Sequence, residues 1–359
     1  MPKTPGKILI VLPNPLGDVV MATPALRALR THFAGACVTL LGRQIGLDVL
    51  AGSGLADQMV ADDSCRPPQV LRLPALACRL RAGRFDLAVL LPNSFRSALT
   101  AWLAGAKRIA GYDRDGRRRL LTDRLAPKRD RRGGFLPMPA IDYYLDLARF
   151  LGAACDSGRM ELVVTPGEQQ SADELLAQAD ADSRNPLVML NPGAAFGPSK
   201  MWDADCFAAV ADALIEQCGA QIIINAAPSE KPVAAAVERS MRHKPLLNFA
   251  RRDNTIGMLK GLLRRSDLLI TNDTGPRHVA AALGTALVTV FGCTDPVRTK
   301  IDCPRERIIR VDVSCSPCQR KFCPQLPGPL YHQCMSLITP AIVLEKALEL
   351  LRCKAEAAT

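Results

Sequence analysis

The sequence predicts an α/β protein with two successive Rossmann-like domains, each built on a parallel sheet, and a ligand cleft between them. Short apolar segments alternate with helical patterns along the chain, which is typical of a parallel sheet covered on both faces. This alternation stops in a polar stretch at residues 165–186 and then begins again. A chain of 359 residues is long enough for two domains, each with its own core.

The first half is predicted to form one domain over residues 1–166, with ligand-binding loops at the carboxyl ends of its strands. A Thr23-Pro24 pair inside its first helix indicates a kink or a second helix start. The predicted elements are, in order, strand 7–12, helix 19–33, strands 38–41 and 87–91, and helix 141–151.

Residues 167–186 are predicted as the connection between the domains, because they are polar and contain several turn-forming residues. A second domain is then expected over residues 187–339, followed by a C-terminal helix in residues 340–359. The elements predicted for the second domain are strand 187–190, helix 203–218, strands 221–225 and 246–249, helix 255–266, strand 268–271, a helix ending at Gly284, and strand 286–291.

The composition indicates a folded protein without a membrane span. Apolar residues make up 48% of the chain, an ordinary value for a globular protein. All apolar runs fall short of the roughly 20 residues that a spanning helix requires. The apolar segment at residues 8–12 ends at Pro13 and is too short for a signal-peptide core. We therefore expect a cytoplasmic protein whose 13 cysteines are reduced.

The net charge of +11 is concentrated in residues 107–132, where eleven basic residues accompany four acids. A patch of this density attracts anionic partners such as lipid head groups or phosphorylated substrates. Nucleic acid is not expected as a partner, because Tyr112 is the only aromatic residue of the segment on which a base could stack. A solvated loop with no partner is the alternative.

The stretch at residues 270–284 carries the most chemistry. An apolar strand ends at Thr271, a polar turn follows, and Gly275-Pro276 opens a helix. The first N–H groups of a helix are unpaired and lie at the positive end of its dipole, so they can hold a phosphate. The alternative is an ordinary turn in which Asp273 or Thr274 caps the helix.

Other loops carry candidate catalytic side chains. Asp18 follows the first strand, where a carboxylate could take a proton from a substrate hydroxyl or, alternatively, cap the next helix. Lys200 could neutralise a diphosphate or be a solvated surface lysine. Thr294 and Asp295 follow the strand after the 270–284 stretch and could contact the same anion. A phosphate loop and a dinucleotide fingerprint are both absent, which disfavours an ATPase or a dehydrogenase.

Five groups of short motifs follow one another along the chain. They are Ile8-Leu9-Ile10-Val11 with Leu16-Gly17-Asp18-Val19 and Thr23-Pro24-Ala25-Leu26-Arg27; Pro92-Asn93-Ser94-Phe95-Arg96-Ser97-Ala98; Asn191-Pro192-Gly193-Ala194 with Ser199-Lys200-Met201-Trp202; Asn272-Asp273-Thr274-Gly275-Pro276 with His278; and Phe291-Gly292 with Thr294-Asp295-Pro296. Together they resemble glycosyltransferase family 9, the ADP-heptose:lipopolysaccharide heptosyltransferases, and most closely its heptosyltransferase II-type members. Cys293 replaces a proline of the family pattern, and Arg277 stands where methionine or leucine is frequent.

The resemblance implies an enzyme with the GT-B fold. It implies an ADP-heptose donor bound mainly by the second domain, and an acceptor bound mainly by the first. The reaction implied is inverting heptose transfer, without a metal or other cofactor, to the lipid A-linked, Kdo-containing inner core of lipopolysaccharide. This acceptor is anionic and lies at the cytoplasmic face of the inner membrane. We therefore expect salt-sensitive, peripheral contact with that surface through the basic segment.

The resemblance also assigns roles to single residues. Asp18 corresponds to the catalytic base and Lys200 to the lysine that neutralises the leaving phosphate. Donor-binding residues are expected at Asn191, Gly193, Ser199, Glu230, Asp273, Thr274, Gly275, His278, Thr294 and Asp295. Acceptor-binding residues are expected at Asn93, Ser94, Arg96, Arg117, Arg118 and Arg119.

A cysteine cluster lies outside this chemistry. Cys315, Cys318, Cys323 and Cys334 are spaced Cys-x2-Cys-x4-Cys-x10-Cys, with His332 near the last. The first pair has zinc-ligand spacing, and four cysteines could close a tetrahedral structural site. The later spacings are not those of a standard zinc ribbon, so buried reduced thiols or a redox-labile pair are the alternatives.

Two other functions compete with heptose transfer. A nucleotide-sugar epimerase of similar architecture would leave the basic segment unexplained. A non-catalytic protein that binds membranes or nucleic acid would leave Asp18 and Lys200 without a role.

Overall fold

A computed structural model of the chain describes residues 4–64 and 69–357. The described residues divide into two compact units. Unit 1 runs to Val163 and also includes Val297–Lys300, and unit 2 comprises Val164–Pro296 and the chain from Ile301 onward. Within the described ranges, no helix is both long enough and apolar enough to cross a membrane.

Unit 1 contains a six-stranded parallel sheet. Its strands are β1 (Lys7–Val11), β2 (Cys37–Gly42), β3 (Gln58–Ala61), β4 (Leu87–Leu90), β5 (Arg108–Tyr112) and β6 (Asp123–Leu125). Its helices are α1 (Leu16–Met21), α2 (Thr23–His32), α3 (Gln44–Val49), α4 (Gln69–Arg81), α5 (Phe95–Leu103) and α6 (Ala140–Phe150). The strand order is β3-β2-β1-β4-β5-β6. In this Rossmann order the connections diverge between β1 and β4, which leaves a ligand crevice at the carboxyl ends of those strands.

The strands of unit 1 form where the sequence is apolar on both faces, as a sheet covered by helices requires. The central strand β4 is fully buried, whereas the edge strand β3 is largely exposed. The helix predicted over residues 19–33 is in fact two helices, because α1 ends at Met21 and α2 begins at Thr23. Pro24 occupies the first turn of α2, where its missing N–H costs nothing. The predicted second start at Thr23-Pro24 is therefore confirmed.

Unit 2 repeats this architecture. Its strands are β7 (Leu187–Asn191), β8 (Gln221–Ile224), β9 (Leu247–Asn248), β10 (Leu268–Asn272), β11 (Ala286–Phe291) and β12 (Glu306–Arg310). Its helices are α7 (Pro166–Gln178), α8 (Ala204–Cys218), α9 (Lys231–Ser240), α10 (Ile256–Arg265), α11 (Gly275–Leu283), α12 (Gln333–Ser336) and α13 (Pro340–Ala357). The order β12-β11-β10-β7-β8-β9 is again the Rossmann order, with its switch point between β7 and β10.

Residues 167–186, expected as a connection, lie within unit 2 and mostly form helix α7. A capping box between Thr165 and Glu168 starts this helix, and α7 packs against α10. Glu168 also pairs with the fully buried Lys260 of α10, at 2.9 Å between Oε1 and Nζ. The polar composition of α7 reflects this ion pair and one exposed face, so it does not mark a linker. The C-terminal helix α13 packs against α8, also inside unit 2.

Candidate functional site

The switch point of unit 1 holds Asp18. Asp18 lies in the first turn of α1, and Pro15 occupies the cap position, so Asp18 is not the helix cap. Its Oδ1 accepts a hydrogen bond from the hydroxyl of Tyr144, at 3.4 Å. Burial and the neighbouring Asp18 charge raise the pKa of Tyr144 well above its ordinary value, so Tyr144 stays protonated as the donor. Asp18 is therefore a half-buried carboxylate held from one side by a phenol.

The loop after β4 lies on the other side of this switch point. Asn93 Oδ1 accepts a hydrogen bond from the hydroxyl of Tyr143, at 2.8 Å. The Ser94 hydroxyl caps α5 by accepting from the Ser97 amide. Arg96 forms a two-pronged ion pair with Asp62, with nitrogen–oxygen distances of 2.9 and 3.1 Å. Ser94 and Arg96 thus have structural partners within unit 1 in addition to their predicted roles.

The role predicted for Arg117 requires a correction. Arg117 was expected to bind the acceptor, but its side chain has 0% exposure. Its guanidinium donates to the carbonyl oxygens of Tyr112 and Pro92 and to the Ser97 hydroxyl. Burial lowers the pKa of Arg117 to about 10, which leaves it charged at neutral pH. A guanidinium enclosed in this way ties the ends of β4 and β5 together and is not available to a ligand.

Arg118 and Arg119, by contrast, are exposed. Arg118 lies 3.4 Å from a carboxylate oxygen of Asp113, in an ion pair open to solvent. Both cations therefore remain accessible to an anionic acceptor.

The switch point of unit 2 brings Lys200 and Asp273 together. Lys200 Nζ donates to Asp273 Oδ2 and to the Asp273 carbonyl oxygen, both at 2.8 Å. The Thr294 hydroxyl donates to the same carboxylate oxygen at 2.8 Å. Burial would raise the pKa of Asp273, but the charges of Lys200 and Arg277 outweigh burial and lower it below its ordinary value. Lys200 is therefore a fixed cation, and the solvated-surface alternative does not hold.

The N-terminus of α11 is open. Thr274 occupies the cap position, but its own side chain makes no capping hydrogen bond. The Thr274 hydroxyl accepts a hydrogen bond from Asn191 Nδ2 at 3.0 Å, and the Asp273 carboxylate is directed to Lys200. Thr274 is therefore not a side-chain cap, and Asp273 is held by Lys200, an arrangement that favours the anion-binding interpretation of the first amides of α11.

A second ion pair lies behind Asp273. Arg277 is fully buried and donates from Nε to Glu306 Oε1 at 2.6 Å and from Nη2 to Oε2 at 3.0 Å. Its Nη1 lies 3.4 Å from Asp273 Oδ1. Arg277, which departs from the family pattern, thus contacts the Asp273 carboxylate from the buried interior of unit 2. It does not line a pocket.

His278 is buried in the same turn of α11. Burial, together with the charge of Arg277, lowers the pKa of His278 to about 3, so its ring is neutral at physiological pH. Its Nδ1 is a buried atom for which no partner is present among the described residues. Asp295, at the end of the neighbouring loop, is half-buried.

Gly193 and Glu230 are brought together at the end of β7. A methyl group at Gly193 would overlap the Glu230 carboxylate, so only glycine permits this approach. Burial raises the pKa of Glu230 above its ordinary value, although a hydrogen bond from the Ala227 amide opposes the rise. The carboxylate is thus held close to the β7 loop.

A chain of asparagines extends from this point. Asn225 Nδ2 donates to Asn191 Oδ1 at 2.7 Å, and Asn254 Nδ2 donates to Asn225 Oδ1 at 2.6 Å. Sequence reasoning included Asn191 but missed Asn225 and Asn254. Asn225 directly follows β8, so the rule that ligand loops follow parallel strands would have found it.

Ser199 has a structural role. Its buried hydroxyl donates to the Arg320 carbonyl oxygen at 2.5 Å and lies 3.2 Å from Cys293 Sγ. The Ser199 carbonyl oxygen contacts His332 Nε2 at 3.1 Å. Ser199 was expected to contact the donor directly, and this expectation is corrected. The hydrogen bonds of Ser199 instead hold the peptide that carries Lys200.

The cysteine-rich segment therefore supports the Lys200 loop. Cys315, Cys318, Cys323 and Cys334 are all free thiols. Burial and the neighbouring cysteines raise the pKa of Cys334 to about 12, so it remains a protonated thiol. Among the side chains that the structure describes, no group of three or more His, Cys, Asp or Glu residues is arranged to hold a metal ion.

Two sheets of Rossmann order, each with polar side chains gathered at its switch point, define a two-domain α/β protein of the nucleotide-binding type.

Comparison with known proteins identifies the family. The sequence model of glycosyltransferase family 9 (heptosyltransferase) matches residues 73–327. The chain is 27% identical to lipooligosaccharide heptosyltransferase 2 of Campylobacter jejuni, over 96% of this chain and 98% of the relative. It is also 27% identical to lipopolysaccharide heptosyltransferase 2 of Escherichia coli K12, over 96% and 98% of the two chains.

Solved structures agree. E. coli ADP-heptose lipopolysaccharide heptosyltransferase II superposes with a TM-score of 0.79 at 25% identity, covering 97% of this chain and 99% of that one. A family 9 glycosyltransferase from Veillonella parvula shares the fold, with a TM-score of 0.81 at 22% identity over 96% and 97% of the chains. The chain therefore belongs to glycosyltransferase family 9, the heptosyltransferases. The predicted family, the GT-B fold class and the enzyme class are confirmed, which excludes a purely non-catalytic binding protein.

Proposed function

We propose that this protein transfers heptose from ADP-heptose to the anionic, lipid A-linked inner core of lipopolysaccharide, with inversion and without a metal or other cofactor. The observation that carries the proposal is the fixed Lys200 cation beside the open N-terminus of α11, in a chain similar to heptosyltransferase 2 proteins. Unit 2 binds the donor and unit 1 binds the acceptor.

Departure of ADP is the step that unit 2 assists. As the bond from the anomeric carbon to the phosphate oxygen breaks, negative charge develops on the diphosphate. Lys200 and the amides of Thr274 and Gly275 stabilise this charge, and preorganised groups of this kind usually supply the largest share of catalysis. The Asp273 carboxylate contacts Lys200, Thr294 and Arg277. These contacts favour a role for Asp273 in fixing Lys200 over direct contact with the donor's sugar. No metal is required where a lysine and a helix N-terminus share the charge.

The nucleoside of the donor is bound beside the diphosphate. Glu230, held against Gly193, accepts hydrogen bonds from the ribose hydroxyls. The asparagine chain from Asn191 fixes the floor of this site. The neutral ring of His278 and the half-buried Asp295 complete the donor contacts on the heptose side.

Attack by the acceptor is the step that unit 1 assists. Asp18 takes the proton of the acceptor hydroxyl while that oxygen forms the bond to the anomeric carbon, from the face opposite the departing ADP. The hydrogen bond from Tyr144 orients the carboxylate. Asn93, Arg96, Arg118 and Arg119 contact the anionic sugars of the acceptor.

The acceptor's location also gives the basic segment a role. Residues 107–132 carry a charge surplus that attracts the anionic surface in which a lipid-linked acceptor is presented. We propose peripheral, salt-sensitive association with the cytoplasmic face of the inner membrane.

A donor screen tests the proposal. Thermal shift and calorimetry compare ADP-heptose with UDP- and GDP-sugars, and a transfer assay follows with inner-core lipopolysaccharide acceptors that carry either no heptose or a single heptose. We expect ADP-heptose alone to stabilise the protein and to label the acceptor. Stabilisation by a UDP-sugar without stabilisation by ADP-heptose contradicts the assignment.

A further inference from the structure

A short hairpin in unit 1 carries the end of the basic segment. We call residues 128–137 the basic hairpin. Its two arms pair at Arg129 and Phe135, and the Leu136 amide donates to the Lys128 carbonyl oxygen at 3.1 Å. Every residue of the hairpin is exposed. It contains four cations and one acid, so it projects a positive charge from the surface of unit 1.

The single acid of the hairpin is used to build its turn. Asp130 Oδ1 accepts hydrogen bonds from the amides of Arg132 and Gly134, both at 2.8 Å. Gly133, with φ of 82°, supplies the left-handed residue that the turn needs. The hairpin is thus a defined structure whose carboxylate faces its own backbone, which leaves Arg131 and Arg132 exposed at the tip.

Apolar side chains stand among these cations. Phe135 is 41% exposed and Leu136 is 46% exposed. The guanidinium carbons of Arg114 and Arg129 lie over the Phe135 ring, at 3.9 and 4.3 Å from its centroid. Because guanidinium groups are weakly hydrated and the ring already partners them, this cluster can enter a bilayer's head-group layer at low desolvation cost.

We propose that the basic hairpin docks the protein on an anionic phospholipid bilayer. Phe135 and Leu136 enter the head-group layer, while Arg129, Arg131 and Arg132 contact lipid phosphates. This inference rests on the proposed function, since a lipid-linked acceptor requires an enzyme that reaches a membrane surface.

The same features disfavour a nucleic acid as the occupant. The Phe135 ring is covered by guanidinium groups, which compete with any base for stacking on it. An exposed leucine adds nothing to nucleic-acid binding, whereas it adds directly to partitioning into a head-group layer.

Co-sedimentation of the full chain with vesicles tests the proposal. The vesicles contain either phosphatidylcholine alone or phosphatidylcholine mixed with phosphatidylglycerol, and inorganic pyrophosphate serves as a soluble anion competitor. We expect binding to the anionic vesicles only. The double variant R131Q R132Q should weaken it by about 25-fold, at about fivefold per cation. The double variant F135S L136S should weaken it on the order of tenfold by removing buried apolar area.

Matched controls come from exposed positions in unit 2. R251Q R252Q removes two adjacent exposed arginines, and L326S removes the most exposed large apolar side chain among the described residues. Both control variants should bind anionic vesicles as the unaltered protein does. Equal losses in the control and hairpin charge variants, an unchanged F135S L136S variant, or full displacement by pyrophosphate would overturn the proposal.

A transfer assay with detergent-solubilised acceptor separates this inference from the proposed function. No bilayer is present in that assay, so the hairpin variants should transfer heptose at the unaltered rate. If the unaltered protein binds vesicles through the hairpin but transfers no heptose, the proposed function fails and the docking surface stands. If it transfers heptose but the hairpin variants bind vesicles normally, only the docking surface fails.

Discussion

The ammonium of Lys200 lies 2.8 Å from both a carboxylate oxygen and the carbonyl oxygen of Asp273. Two acceptors on one residue fix the cation at the point where α11 begins. Lys200 and α11 belong to segments far apart in sequence, and these two hydrogen bonds bring them together at the proposed anion site of unit 2. They also give the acidic residue a role in the proposed diphosphate site, where it holds the cation in place.

Removal of the Asp273 charge should affect both folding and catalysis. D273N leaves the largely buried Lys200 without its carboxylate partner, whereas Arg277 keeps Glu306, and we expect a cost of about 3 kcal/mol of unfolding free energy. Heptose transfer should fall by about 100-fold, because Lys200 is no longer fixed. Urea unfolding and a transfer assay measure the two effects. The control D253N alters an exposed aspartate paired with Lys231 and should change neither. A D273N variant with unaltered turnover would show that Lys200 does not need its partner.

Replacement of Arg117 should destabilise unit 1. R117Q removes a buried guanidinium that donates to two carbonyls and a hydroxyl, and it should cost about 3 kcal/mol in urea unfolding. The exposed neighbour gives the control, since R119Q should leave stability unaltered. An unaltered unfolding midpoint for R117Q, with a raised KM for the acceptor, would instead indicate that Arg117 binds the acceptor.

A methyl group at Gly193 should weaken donor binding. G193A forces the Glu230 carboxylate out of position, and we expect ADP affinity to fall on the order of tenfold, or about 1.4 kcal/mol. Calorimetric titration with ADP measures the loss. G167A is the matched control, because nothing lies within 4 Å of a Cβ at Gly167. Equal ADP affinity in G193A would mean that Glu230 does not contact the nucleotide.

His278 should make stability depend on pH. Its pKa is about 3 in the folded protein, mainly through burial, against 6.5 when exposed. Between these values only the unfolded chain binds the proton, so stability contributed by the neutral ring falls as pH drops below 6.5. From about pH 7 to about pH 4.5 this amounts to roughly 3 kcal/mol.

The variant H278N should lose that contribution, so its unfolding free energy should change less between the two pH values than that of the unaltered protein. The exposed His32 provides the control variant H32N, which should retain the unaltered dependence. Identical pH dependence in H278N and the unaltered protein would argue against a buried neutral ring.

Sequence reasoning located the central strands because parallel strands covered on both faces are continuous apolar runs. Four strands were missed. The edge strands β3, β6 and β12 are partly exposed and contain polar residues such as Gln58 and Asp123, and β5 lies in the basic segment, although most of its residues are buried. Helix α7 was read as a linker for a related reason. Its charged residues pair with α10, and only the tertiary structure shows this.

The positions of the site residues were predictable, but their partners were not. Strand ends in a parallel sheet converge on one edge, so Asp18, Asn191 and Asp273 could be found from the strands that precede them. The burial of Arg117 between the ends of β4 and β5 depends on the positions of the separate residues that accept its hydrogen bonds, Tyr112, Pro92 and Ser97. Because most arginines are exposed, the sequence alone predicts that such an arginine lies at the surface. The same limitation concealed the Tyr144 contact with Asp18 and the asparagine chain.

The most direct test of the central claim is a paired measurement on D18N, comparing heptose turnover with ADP-heptose binding. If Asp18 is the base, turnover should fall by about a thousandfold while donor affinity stays unaltered, because the proposed donor contacts lie in unit 2. The control D48N alters another half-buried aspartate of unit 1, which bonds to Gln44, and should retain full turnover. Unaltered turnover in D18N, or a loss of turnover matched by an equal loss of donor affinity, would contradict the account.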